Sequence, residues 1–147
     1  MRLLPFILLF AAAPLPGQAP EEKEVVAAVQ KTFDGMAAHD EAAIRSTMLP
    51  DARLCSIRDE AAPSAVSAED WLKRISSMKG ELIERFTAKP AVSIRGRMAQ
   101  LWGEYEFLRD GKFSHCGVDS ITLFKTPEGW KIAAVAFTAE TTGCPGR

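Results

Sequence analysis

Between residues 21 and 38, apolar side chains recur at Val25, Val26, Val29, Phe33 and Met36, the spacing of an α-helix with one buried face. Glu21 and Glu22 fall in the first turn, where negative charge suits the helix dipole, so a long amphipathic helix is predicted over 21–38. Asp40 is an N-cap for a shorter helix through Ile44 and Met48, which Pro50 stops. Residues 53–58 read as a strand, followed by a loop of small and polar residues, DEAAPSAVSA, containing Pro63. Ser67 with Asp70 forms a capping box in which Asp replaces the usual Glu. Trp71, Leu72, Ile75 and Met78 then give a third helix its apolar stripe, and Gly80 ends it. Residues 82–94 read as one further strand, confined by Pro90 to an edge or a bulge, and Arg95-Gly96 marks the next turn.

From 102 to 138 the pattern changes to strand alternation broken by two turns. Asp110-Gly111 suits a type I′ hairpin, because both central residues of that turn need positive φ. Pairing Arg109 with Lys112 places Glu106 opposite His115, Tyr105 opposite Cys116, Glu104 opposite Gly117 and Trp102 opposite Asp119. One face then carries Gln100, Trp102, Glu104, Glu106, His115, Gly117, Asp119, Ile121 and Leu123. The other carries Leu101, Tyr105, Phe107, Cys116, Val118, Ser120, Thr122 and Phe124. Across the second turn, at Thr126-Pro127-Glu128-Gly129, Trp130, Ile132, Ala134, Ala136 and Thr138 join the first face, and Ala133, Val135 and Phe137 the second. Both faces are substantially apolar. A half-exposed antiparallel sheet would be polar outside, so helices are expected to cover one face and a second copy of the chain the other.

Helices that precede a run of antiparallel strands indicate an α+β domain. The element order, the Asp-Gly hairpin and the closing GWKI strand together resemble the nuclear transport factor 2-like superfamily. Within it, the run DGKFSHCGVDS, the GWKI segment and the terminal GCP are most similar to the branch called putative lumazine-binding. The resemblance spans about residues 22–145 and implies a cystatin-like α+β roll: a cone-shaped, curved antiparallel sheet wrapped around N-terminal helices. It also implies an internal pocket, GWKI pointing inward, and dimerisation through the outer side of the sheet. The superfamily contains isomerases, dehydratases, cyclases and non-catalytic binding modules, so the fold does not select an activity.

Of the 147 residues, segment 1–20 reads as a secretory signal, with Arg2 in a positive n-region, an apolar run over 3–13, and small residues at Gly17 and Ala19. Pro20 makes cleavage directly after Ala19 unfavourable. The domain is then 21–147, exported to the periplasm or secreted. The chain has 18 basic and 19 acidic residues, and losing Arg2 makes the balance one unit more negative. With no basic patch and no second long apolar run, neither nucleic-acid binding nor a membrane span in the mature form is expected. In an oxidising compartment the three cysteines allow one disulfide. Cys116, near the start of one strand, and Cys144, just past the end of the next antiparallel one, are the favoured pair. Cys55 is left as a buried structural thiol.

The face holding His115 and Asp119 is taken as the inner one, with Ala134 and Ala136 small enough to leave space beneath a helix. His115 and Asp119, four residues apart on one strand, lie ~13 Å from each other, too far to share one ion, so no metal and no cofactor is expected. The candidate catalytic residues are Asp119, its carboxyl pKa raised by burial beside Trp102, and His115, paired with Glu106 near the rim. Trp102, Glu104, Glu106, Phe33 and Trp130 are the candidate ligand contacts. In the competing structural reading, Asp119 is a buried carboxylate satisfied by a helix or by Arg53. The leading functional reading is a module binding a small, partly apolar molecule between the helices and the inner sheet face, since no catalytic set is complete. The alternatives are a cofactor-independent acid/base enzyme, an isomerase, dehydratase or cyclase using Asp119 and His115, and a structural dimerisation module.

Overall fold

The computed structural model describes residues 18–146, so the leader expected over 1–20 lies, but for its last residues, outside the described residues. Three helices and seven strands follow in the order α1 (Gln18–Ala38), α2 (Glu41–Thr47), β1 (Met48–Arg58), β2 (Ser64–Ser67), α3 (Ala68–Ser77), β3 (Leu82–Phe86), β4 (Ala91–Arg95), β5 (Met98–Arg109), β6 (Lys112–Thr126) and β7 (Gly129–Ala139). The strands form a curved, unclosed sheet ordered β2-β1-β7-β6-β5-β3, with β4 also paired to β5. All pairs are antiparallel except β1 with β7. This is the expected α+β architecture.

The caps follow the sequence reading. Asp40 accepts from the Ala43 amide at 2.9 Å and Ser67 accepts from the Asp70 amide at 3.0 Å, each satisfying an orphan N–H of a helix start. His39, at φ 54°, ends α1 in the left-handed region and folds α2 back against it. The helices approach closely at Gly35, where a Cβ would lie 2.8 Å from Ile44 Cγ1. The apolar stripe of α1 enters the sheet's inner face. Val25, Val29 and Phe33 are buried with Ala99, Leu101, Ile121, Leu123, Trp130 and Ile132, filling one end of the cone. Burying each such large side chain stabilises the fold by roughly 1.5–3 kcal/mol, so this stripe holds helix to sheet. At the other end Met36, Ile44, Leu72, Leu82, Tyr105 and Phe107 form a second cluster, which α3 joins through Leu72.

Three boundaries differ from expectation. β1 begins at Met48, and its register with β7 breaks between Met48 and Arg53, where Pro50 has no N–H to donate. The loop after it contains β2, paired to β1 from Arg53↔Ser67 to Ser56↔Ser64. The strand expected over 82–94 divides into β3 and β4, both paired to β5, with Pro90 in the break.

The Asp110-Gly111 turn has the expected positive φ values, 50° and 71°, and pairs Arg109 with Lys112. Leu108 then pairs with Phe113, but Phe107 pairs with His115, leaving Ser114 as an extra residue. Because side chains alternate with period two, this bulge turns the two strands out of the simple register. Tyr105 faces Gly117, Gly103 faces Asp119, and Trp102 faces Ser120. A second bulge, at Ala133, does the same on β7: Leu123 pairs with Ile132 but Thr122 with Ala134. Val135 and Phe137 therefore turn inward in place of Ala134 and Ala136.

Cys116 and Cys144 form the expected disulfide, at a sequence separation of 28 and with Cα atoms 5.9 Å apart. Reciprocal backbone bonds between Cys116 and Glu140, 3.0 and 2.8 Å, lay the tail against β6 beside it. Cys55 is exposed rather than buried, since alternation along β1 sends Ala52 and Leu54 inward and Cys55 outward. Among the described residues no helix is long and apolar enough to cross a membrane. Closing a loop of this length gives the disulfide an entropic contribution of about 2–4 kcal/mol. Cys144→Ser should therefore lower the unfolding free energy in urea by about that amount, and reduction of the wild type should have the same effect.

Candidate functional site

A cavity of about 230 Å³ opens between the two apolar clusters. Val29, Thr32, Phe33 and Met36 reach it at successive turns of α1, and Trp71, Ile75 and Met78 reach it from α3 and its C-terminal end. The sheet contributes Glu84, Tyr105, Phe107, His115, Asp119, Ile121, Val135 and Phe137. Most lining residues are apolar or aromatic, joined by two carboxyls, two arginines, a histidine and hydroxyl groups, a mixture suited to a partly polar small molecule.

The polar centre is a pair of carboxyls. Asp119 is 3% exposed and its Oδ2 has no N–H or hydroxyl partner among the described residues. Its neighbour is Glu84, on the inner side of β3 between Leu82 and Phe86, and the two carboxyls are hydrogen-bonded to each other. Such a bond requires a proton on one of them, and burial provides it. Loss of hydration pushes Asp119 up to about 7, with Glu84 opposing that rise as the hydrogen-bond donor. Glu84 is raised well above the usual carboxylate range, first by burial and then by the charge and hydrogen bond of Asp119. No cation among the described residues offsets the pair, so Glu84 retains the shared proton as Asp119 ionises.

Two further groups surround the pair. The Tyr105 hydroxyl donates to the Thr138 carbonyl at 2.7 Å. Burial, followed by the charges of Glu84 and Asp119, raises its pKa, so it stays neutral. The same carbonyl lies where a side chain at position 117 would stand, only 2.0 Å from a Cβ built on Gly117, so glycine is what allows β7 to approach. His115 stacks on Phe107 with ring centroids 4.9 Å apart and meets Tyr105 edge-on at 5.8 Å. Its Nδ1 lies 3.1 Å from Ser114 Oγ. Burial and the Arg58 charge lower it to about 4, so the imidazole is neutral at physiological pH rather than poised to shuttle protons there.

Asp119, His115 and Phe33 line the cavity as expected; the other proposed contacts do not. The Ser114 bulge places Trp102, Glu104 and Glu106 on the outer sheet face. Trp102 is 55% exposed there, and Glu106 is held by Arg85 at 2.5 Å. Glu106 is paired across the strands with Cys116 rather than His115, and Asp119 lies opposite Gly103 rather than Trp102. Trp130 points inward but is packed in the first apolar cluster, with Lys125 Nζ 5.6 Å from its ring centroid. Arg53, the alternative partner for Asp119, is exposed on β1. Glu84 is the principal residue that sequence reading passed over. Its signal was local: in LIERF a single carboxylate sits between Leu82 and Phe86 on the face that alternation buries.

Residues 20–138 match the sequence profile of a family described as "Putative lumazine-binding". Among solved structures, the chain is similar to a nuclear transport factor 2-like superfamily protein from Salmonella enterica, with TM-score 0.70, 14% identity, and coverage of 89% of this chain and 99% of that one. It is also similar to a nuclear transport factor 2-like protein with a cystatin-like fold from Novosphingobium aromaticivorans, with TM-score 0.68, 13% identity, and coverage of 86% and 85%. A third is described as a putative dehydratase of the same fold family from Streptomyces avermitilis, with TM-score 0.67, 16% identity, and coverage of 82% and 96%. At these identities the structural likeness concerns the fold. A search of curated proteins gives no match.

The carboxyl pair has a consequence for stability. A carboxyl whose folded pKa is raised favours folding fully only below its unfolded value, and that contribution is lost as pH rises towards the folded value. For Asp119 the window runs from about 4 to about 7. Unfolding free energy measured in urea should decline across it, and Asp119→Asn should flatten that decline and raise stability at pH 8 by about 1–3 kcal/mol.

Proposed function

The chain belongs to the nuclear transport factor 2-like family described as "Putative lumazine-binding", and on that premise we propose that it is an exported domain binding a small, partly apolar molecule in the cavity between α1, α3 and the inner sheet face. The observation that carries this reading is the Glu84–Asp119 pair in the wall of a cavity whose lining residues are mostly apolar or aromatic. A buried Asp119 oxygen without a donor is costly unless something supplies one, and a ligand entering the cavity can. With its one proton held between Glu84 and Asp119, the pair presents acceptor oxygens to a ligand's O–H or N–H. That matches a hydroxyl, an amide or the N–H groups of a heterocycle such as the lumazine named in the family description. Phe33, Trp71, Phe107 and Phe137 give flat apolar surface around it.

A second reading, an acid/base enzyme of the isomerase, dehydratase or cyclase kind, is supported by the same pair. A carboxyl near pH 7 can both take and return a proton. In that case Asp119 is the base and Glu84 the acid beside it, while neutral His115 positions the substrate. Export rests on the leader pattern of residues 1–20, with which the Cys116–Cys144 disulfide is compatible.

The outer face of the sheet supports a homodimer. Trp102 is 55%, Met98 48%, Phe124 43% and Ile57 40% exposed, spread over three strands, and a second copy would cover this surface.

Mass spectrometry of the small molecules released on denaturing purified protein tests the binding reading. A stoichiometric compound is expected from the wild type, with recovery reduced at least about tenfold from Asp119→Asn. Equal recovery from both would remove the pair from recognition, and turnover unaffected by Asp119→Asn would exclude Asp119 as a catalytic base. Sedimentation at micromolar concentration should show a dimer that Trp102→Glu converts to monomer. A monomeric wild type contradicts the dimer.

A further inference from the structure

The charged residues lining the cavity are segregated by sign. Glu84 and Asp119 are the two acidic residues lining it, set among Leu82, Phe86, Tyr105 and Ile121. The two cationic residues lining it are Arg58 and Arg109, at the ends of β1 and β5, and both are exposed. Register puts them at one end of the sheet: Arg109 pairs with Lys112 at the start of β6, and Arg58 pairs with Ala139, next to the residue that bridges to Cys116. Arg58 is drawn over the cavity by the Phe137 ring, 5.7 Å from its centroid. Its charge is felt by both His115 and Tyr105.

Neither arginine forms an ion pair among the described residues, although Arg45, Arg85, Lys125 and Lys131 all do. The nearby acidic groups are engaged elsewhere or face out. Asp59 accepts from the Thr141 amide at 2.9 Å, Asp110 accepts from the Glu81 amide at 2.9 Å, and Glu140 is exposed just past the end of β7.

We propose that the cavity takes an elongated bipolar ligand, with a hydroxyl or amide at its inner end against Glu84 and Asp119, an apolar or aromatic body between, and a carboxylate or other anionic group at the mouth held by Arg58 and Arg109. This assignment rests on the cavity being the binding site. Guanidinium groups offer paired N–H donors to a planar anion, and at the partly screened mouth they add affinity and orientation without burying a charge. The opposite orientation would place the anion against two carboxyls, so the segregation also fixes which end of the ligand enters first.

The test is isothermal titration calorimetry on the full domain at pH 7 with two probes of one shape, 6-hydroxy-2-naphthoate and the uncharged 6-hydroxy-2-naphthamide. The carboxylate is expected to bind at least about tenfold more tightly than the amide. In the Arg58→Gln, Arg109→Gln double variant that preference should fall to about twofold or less, and about 0.5 M salt should have the same effect on the wild type. Both substitutions are at exposed positions, and the wild-type comparison of the two probes needs no variant. Equal binding of the two probes to the wild type, or a preference that survives the double substitution, overturns the assignment of the arginines while leaving the cavity as the binding site. Binding of neither probe overturns the cavity reading and the assignment together.

Discussion

Ser114 has no partner on β5, and what faces the interior of the cone depends on that slip. It brings Tyr105 and Phe107 to the same side as His115 and Asp119, where the apolar stripe of α1 closes over them. Without it, Trp102, Glu104 and Glu106 would stand on the inner face, and two more carboxylates would need desolvating against α1. The bulge at Ala133 keeps β7 in step by turning Val135 and Phe137 inward. Gly117 completes the arrangement, since only a residue without Cβ admits the Thr138 carbonyl that receives the Tyr105 hydroxyl.

Within that enclosure, burial governs the chemistry. Two carboxyls without a cation are expensive to ionise together, so the pair keeps a proton to higher pH than either group would alone. The cost is tolerated because α1 and the inner sheet face bury enough apolar surface to hold the cone closed around it. Destabilised polar groups in a cavity are common where a ligand completes the hydrogen bonding, and the pair has that character. Arg58 and Arg109 line the same cavity but are exposed, so they remain hydrated and cost little without an ion pair among the described residues.

Most of the fold was legible because it depends on local signals: the spacing of Val25, Val29, Phe33 and Met36, the caps at Asp40 and Ser67, and the Asp-Gly turn. The inner face of β6 was legible too, through Asp119, Ile121 and Leu123. What was not legible was the register partner across the hairpin. A bulge has no composition signature at Ser114, and one unpaired residue reverses the face assigned to every β5 side chain beyond it. Simple alternation therefore puts Trp102, Glu104 and Glu106 inside and Tyr105 outside. Glu84 is obscured for a different reason: a single segment running through Pro90 hides the alternation of Leu82, Glu84 and Phe86. Arg58 and Arg109 are strand-end residues whose convergence on one cavity mouth is a property of the sheet's curvature, not of the sequence around either one.

The cone holds a carboxyl pair that should retain a proton at neutral pH. Carbon-13 NMR titration of the side-chain carboxyls in the folded domain measures this directly. Asp119 should titrate with a midpoint of about 7 and Glu84 well above the usual carboxylate range. Glu84→Gln should leave Asp119 raised, because desolvation rather than its neighbour's charge is what raises it. Midpoints for both carboxyls near the ordinary value of about 4 would contradict the account.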